Sequence, residues 1–146
     1  MNLKEQLKED LKVSLKERDE IKTGTLRMLM AAITNKEKEG KEVTDEHLQD
    51  VVATEAKKRR EASDAFLKGA RPELAEKEQQ ELKILLAYLP EQLTEEQIQE
   101  LVKKAIQETK AQDIKDMGKV MGELAPLVKG KADGAVVSKI VKESLV

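Results

Sequence analysis

Leu3, Leu7, Leu11 and Leu15 recur every fourth residue, with mostly charged and polar residues between them. At 100° per residue this spacing makes one slowly drifting apolar stripe, and it predicts a first helix ending near Arg18 or Asp19. From Glu20 to about Glu39, the residues Ile21, Thr25, Leu26, Met28, Leu29, Met30, Ala32 and Ile33 spread around roughly half a helical circumference. A helix so widely apolar belongs at the centre of a bundle, and Gly40 supplies its stop.

Val43-Thr44-Asp45-Glu46 reads as a helix start, with Thr44 as cap, Val43 stapled onto Leu48 and acids in the first turn. The helix that follows runs to about Lys68 on the stripe Leu48, Val52, Ala56, Arg59, Ser63 and Phe66. Seven-residue steps put Arg59 in line with Val52 and Phe66, so this arginine is not simply on the wet face. After Gly69 and the Arg71-Pro72 turn, a fourth helix is predicted from Pro72 to about Ala87, with the stripe Leu74, Glu78, Leu82, Leu85 and Leu89. Glu78 falls in the middle of that arc, where a lone carboxylate is costly. Arg59 and Glu78 are therefore expected to meet across helices three and four as a structural ion pair, with Glu81 as the second choice of partner.

Tyr88-Leu89-Pro90 closes this unit and residues 91–93 form a short linker. Thr94 opens the next helix with a capping box to Gln97 and a staple from Leu93 to Ile98. Three short helices are expected beyond it, on the stripes Ile98, Leu101, Val102, Ala105, then Ile114, Met117, Met121, Leu124, then Val137, Ile140, Val141, Leu145. Asp113 and Asp133 are the expected caps of the last two. Pro126 should bend the middle one or end it by Ala125, and Gly130 stops what is left. Gly118 and Gly122 either let backbones pack closely or bare a site for a partner. The predicted fold is all-α, with an N-terminal four-helix domain over residues 1–90 and a three-helix tail domain over 94–146.

Composition narrows the chemistry. With 146 residues, no cysteine, one histidine and no tryptophan, disulfides, thiolate catalysis and Cys-ligated metals are excluded. Phe66 and Tyr88 are the whole aromatic inventory, too little for stacking on unpaired bases. Neither a phosphate-binding glycine loop nor a serine with a nearby histidine occurs. His47 reads as an exposed imidazole, and no catalytic residue, metal site or cofactor is expected. No apolar run approaches a membrane span and the start is charged, so the cytoplasm is the expected location.

The net charge of −2 is too small for gripping nucleic acid through bulk charge, and DNA is not an expected partner. Its distribution is uneven. Residues 51–72 hold six bases and three acids, whereas residues 73–100 hold two lysines and eight glutamates. Antiparallel helices that neutralise each other would account for this, and so would a basic face offered to a partner. The turn Lys129-Gly130-Lys131-Ala132-Asp133-Gly134 is either a phosphate seat beside a helix N-terminus or a solvated surface turn.

Four stretches, TLRMLMAAI (25–33), EAKKRREASDAF (55–66), ELAEKEQQELKILLAYLPEQLTEEQI (73–98) and MGKVMGELAPLVKGKADGAVVSKIVKESL (117–145), resemble the YqeY-like proteins. That family shares a helical region and a tail with the B subunit of the glutamyl/aspartyl-tRNA amidotransferase. The resemblance implies the part that holds the tRNA body, since nothing here matches the ATP and Mg²⁺ site or the glutaminase serine. Carried onto this chain, the tail features are Gly118, Lys119, Gly122, Lys129, Gly130, Lys131 and Ala132. The related tail has Asn-Pro where this chain has Asp133-Gly134, and the added acid weighs against direct phosphate contact. Arg27, Arg59, Ser63, Glu78, Tyr88, Leu89 and Pro90 match the free-standing family's pattern in architectural roles.

The resemblance and the residues together give an expected function: a non-catalytic helical module binding tRNA or a tRNA-handling protein. The expected contact residues are Lys57, Lys58, Arg60, Lys119, Lys129, Gly130 and Lys131. Two alternatives stand beside it. One is an accessory to a glutamine-dependent amidotransferase, a carbon–nitrogen ligase by family label; the other is a protein–protein adaptor that involves no RNA.

Overall fold

A computed structural model of the chain describes residues 2–40 and 43–146. Every regular element among the described residues is helical: α1 (Leu3–Lys16), α2 (Glu20–Glu37), α3 (Asp45–Lys68), α4 (Pro72–Leu86), α5 (Glu95–Thr109), α6 (Met117–Val128), α7 (Gly134–Ser144) and a single 3₁₀ turn, Ile114–Asp116. The chain divides into two compact units, Met1–Leu89 and Pro90–Val146.

Local chemistry sets most helix starts. Asn2 accepts from the Glu5 amide at 2.9 Å while its own amide donates back to Glu5, a box that begins α1. Asp19 accepts from Lys22 N at the head of α2. Thr44 and His47 form a reciprocal pair at the head of α3, where the imidazole Nδ1 accepts from the Thr44 amide. Thr94 and Gln97 do the same for α5. Asp113 caps the 3₁₀ turn and Asp133 caps α7. These caps bond amide groups that a first helical turn leaves without intrahelical partners.

In the first unit, Leu7 from α1, Leu26, Leu29 and Ile33 from α2, Leu48, Val52 and Ala56 from α3, and Leu85 from α4 form one buried cluster. Helix α2 touches α1, α3 and α4, and the most extensive pairing is α3 with α4. The α1 stripe departs from expectation at its end: Leu15 is exposed and Ser14 is buried. Steps of four residues drift 40° each, so after Leu11 the next position on the core face is three residues on. Ser14 is accommodated there because its hydroxyl bonds to Leu11 O and to Thr23 Oγ1, both at 2.9 Å. Arg18 follows in the left-handed region, at φ 56°, so the helical path stops short of it.

The second unit is built on Ile98, Val102 and Ala105 of α5, Val120, Leu124 and Val128 of α6, and Val137, Ile140, Val141 and Leu145 at α7. Two expectations for α6 change. Ile114 is exposed in the 3₁₀ turn, and Val120 and Val128 carry the buried stripe with Leu124. Pro126 does not end the helix, which continues to Val128. A proline there removes only the bond to the carbonyl of Gly122, an exposed residue without a side chain. The turn beyond closes normally, with Lys129 N donating to Ala125 O at 3.1 Å.

Candidate functional site

The basic run of α3 lies on a helix whose core face is fixed by Leu48, Val52 and Ala56. Lys57 and Lys58 are exposed, Arg60 is half-buried, and Arg59 turns toward α4. There Arg59 Nη1 lies 3.1 Å from Glu78 Oε2 and donates to Glu81 Oε2 at 3.2 Å. All three side chains are removed from most of their water, at 19, 16 and 15% exposure for Arg59, Glu78 and Glu81. One turn further along, Gln79 Nε2 donates to the buried Ser63 Oγ at 3.1 Å, continuing a polar seam between two apolar-faced helices.

The seam is not fully satisfied. Glu78 Oε2 and Arg59 Nε are buried without a hydrogen-bond partner, so Glu78 meets the guanidinium as a charge rather than through an aligned bond. Burial pushes the Glu78 carboxyl above its ordinary value of 4.5; Arg59 opposes this, and the Glu81 carboxylate, by charge and by hydrogen bond, adds to it. One cation serves two acids here. No other base of the run is drawn in: Lys58 Nζ reaches back to Glu55 on its own helix at 3.3 Å, and neither Lys57 nor Arg60 forms an ion pair among the described residues.

At the end of the first unit, Tyr88 Oη donates to Asp10 Oδ2 at 2.6 Å, fastening the chain after α4 to α1. Burial first, and then the hydrogen bond to Asp10 and its charge, push the phenol well above its ordinary value of 10.

In the second unit, Lys119 is exposed and lies 3.9 Å from Asp116. Lys129 and Lys131 are exposed on the turn between α6 and α7. That turn is held by the segment before α5: Leu93 N donates to Lys131 O at 2.8 Å, and Gln92 Nε2 donates to Pro90 O at 2.8 Å and Gly130 O at 2.9 Å. Gly130 adopts φ +74°, which permits the bend, and a Cβ there would sit 3.9 Å from the Pro90 ring. The head of α7 already carries a carboxylate, because Asp133 Oδ1 accepts from Ala135 N at 3.0 Å. The turn is therefore a structural joint whose lysine side chains point into water, and the helix start does not favour an added anion. Gly118 and Gly122 are exposed, and a Cβ at either would meet nothing within 4 Å. Close packing inside the unit does not explain them.

Three participants escaped the sequence reading. Glu55 is a nearly buried carboxylate on α3, masked by its place in a run of charges. Ser63 with Gln79, and Gln92 with the turn, are polar bonds that no hydrophobic period reports.

The described residues thus define an all-helical protein with paired, charged helix faces, and no group of three or more His, Cys, Asp or Glu side chains among them could hold a metal ion. No helix among them is long and apolar enough to cross a membrane. Residues 4–145 match the family model of the Yqey-like protein. The chain is 32% identical over 141 residues to a fungal protein of Pyrenophora tritici-repentis (strain Pt-1C-BFP), "Altered inheritance of mitochondria protein 41, mitochondrial"; the match spans 94% of this chain and 77% of that one. This chain belongs to the Yqey-like family.

Proposed function

We propose that this protein is a non-catalytic binding module whose ligand is folded RNA, with tRNA as the leading case. Lys57, Lys58 and Arg60 in the first unit and Lys119, Lys129 and Lys131 with Gly130 in the second would supply the phosphate contacts. The observation that carries the reading is the fate of the basic run. Cross-neutralisation by α4 takes up Arg59 alone, and Lys57 and Arg60 have no ionic partner among the described residues. Cations on a rigid helix suit a phosphate backbone, and folded RNA is read mostly by shape and backbone contacts, which need no aromatic platform. The bare backbone at Gly118 and Gly122 flanks Lys119 and supports the same reading, since an approaching phosphate meets no side chain there. The proposal sets the chain in the cytoplasm; the mitochondrial wording in the fungal relative's name concerns that protein.

Filter binding of unfractionated tRNA at two ionic strengths tests the proposal. Loss of three phosphate contacts in the Lys57→Glu, Lys58→Glu, Arg60→Glu variant should flatten the log–log salt dependence by about 2 to 3. Absence of tRNA binding at low salt rejects it. If the variant instead loses a protein partner in pull-downs while no RNA is bound, the adaptor reading takes its place. Glutamine-dependent turnover that appears only when amidotransferase subunits are mixed with this chain would favour the accessory reading.

A further inference from the structure

Glu55 is the acid on α3 that the basic run does not explain. The residue is 8% exposed, yet its only bond is to Lys58 Nζ at 3.3 Å on Oε1, from a lysine side chain that is 58% exposed. An ion pair between residues three apart on a helix surface is weak and easily exchanged. The second oxygen, Oε2, has no hydrogen-bond partner among the described residues.

That carboxylate lines an open cleft of about 280 Å³ between α2 and α3, together with Lys36, His47, Asp50, Val51 and Thr54. The lining holds two carboxylates and one ammonium, and the ammonium is already drawn toward Glu39 at 3.6 Å. Thr54 Oγ1 donates to Asp50 O at 2.9 Å, which leaves the hydroxyl oxygen as an acceptor. Val51 gives the wall an apolar strip beside these acceptors. The cleft therefore offers hydrogen-bond acceptors and negative charge at one end and a surface for methylene groups along its length.

We propose that the α2–α3 cleft binds an aliphatic cation, an alkylammonium or alkylguanidinium group, with the charged head on Glu55 and the stem along Val51. A desolvated carboxylate with a displaceable partner is where such a head gains most, because a charge-assisted bond strengthens as water is excluded. The site is independent of the RNA reading: it lies on the acidic first half of α3.

The test is titration of the full chain with 1,4-diaminobutane, agmatine and N-acetyl-arginine amide, followed by amide NMR shifts of residues 50–55. Saturable shifts confined to that stretch are expected. The two free amines against the capped arginine distinguish a small metabolite from a side chain presented by another protein. Glu55→Gln should weaken binding roughly tenfold or more, the loss of one charge-assisted bond. Thr54→Lys, at the exposed rim, keeps Glu55 and adds an internal competing ammonium, so it should also abolish binding while the fold, checked by circular dichroism, is unchanged. No saturable shift with any of the three probes overturns the proposal, as does unchanged affinity in a folded Thr54→Lys or Glu55→Gln protein.

Discussion

Replacing Glu78 by glutamine should leave the first unit as stable at pH 7 as before, or more stable by up to about 1 kcal/mol. The reason lies in the count of charges on the α3–α4 seam. Arg59 stands between Glu78 and Glu81 at 3.1 and 3.2 Å, so with both acids ionised a buried negative charge is left over. Glu78 carries the cost, since burial raises its carboxyl above the ordinary value. An acid with a raised folded value is most stabilising in its protonated form. That contribution is complete below the ordinary 4.5 and is lost as pH rises through the raised folded value. Glutamine keeps the shape, carries no charge, and can donate to Glu81 as the protonated acid would. The Arg59–Glu81 bond stays.

Arg59→Met is the opposing case, because it leaves two carboxylates facing an apolar stem. Removing one partner of a buried pair costs roughly 3 to 5 kcal/mol, and residual exposure of 15 to 19% places the expectation near about 3. Urea unfolding followed by tyrosine emission reads the first unit alone, since Tyr88 is the only tyrosine and tryptophan is absent. Run at pH 5 and pH 7, the wild type should be relatively more stable at the lower pH, and Glu78→Gln should flatten that difference. A loss of 2 kcal/mol or more in Glu78→Gln at pH 7 would refute the reasoning, because it would mean that the ionised Glu78 is a net stabiliser. An Arg59→Met variant indistinguishable from wild type would refute it equally.

Other expectations concern single groups. Tyr88 should resist ionisation: ultraviolet titration at 295 nm should show phenolate only well above pH 10, and the stability that its protonated form provides should fall as pH rises through that folded value. Tyr88→Phe should cost about 1 to 2 kcal/mol through the bond to Asp10, and a smaller loss in the urea midpoint would count against a strong tie. Gly24, inside α2 with open space at its Cβ, should gain about 0.5 to 1 kcal/mol as alanine. Ala70, at φ 58°, should gain about 1 kcal/mol as glycine by relief of left-handed strain; thermal melts check both, and a destabilised variant would show a contact missed at that position. Gly118→Ala with Gly122→Ala should raise the melting temperature of the second unit yet weaken tRNA binding; unchanged binding would remove the glycines from the proposed interface.

Helix number and the capping signals were legible because both are local: Thr44, Thr94, Asp113 and Asp133 announce starts within three or four residues of the chain. Asn2 with Glu5 was equally local and readable, an N-x-x-E box before an apolar stripe. What could not be read was decided by side-chain reach and by solvent. Ser14 rather than Leu15 faces the core because drift and the Thr23 hydroxyl settle it, and α6 passes Pro126 because the orphaned carbonyl belongs to an exposed glycine. In the site, the inward turn of Arg59 could be anticipated from its seven-residue alignment with Val52 and Phe66. Gln92 could not, since its amide bonds Gly130, thirty-eight residues away.

The run Lys57-Lys58-Arg59-Arg60 shows why folding, rather than charge count, decides what a basic stretch can offer. Four consecutive helical residues span about 300° of the circumference, so on a packed helix they cannot all face outward. One must meet a neighbour, and unless that neighbour brings acids the helix cannot dock. Here α4 brings Glu78 and Glu81, and both converge on Arg59; Glu73 is taken by Arg71 at 3.3 Å. The glutamate-rich stretch after α3 is therefore not a counter-surface to the whole run. Its buried acids are committed to the one inward base, and this commitment is what leaves Lys57 and Arg60 facing outward with their charge unspent. A binding role for α3 thus depends on a buried pair that never touches the ligand: loosening α3 from α4 would free Arg59, Glu78 and Glu81 together, and a patch of three bases would become a mixed surface with little attraction for phosphate.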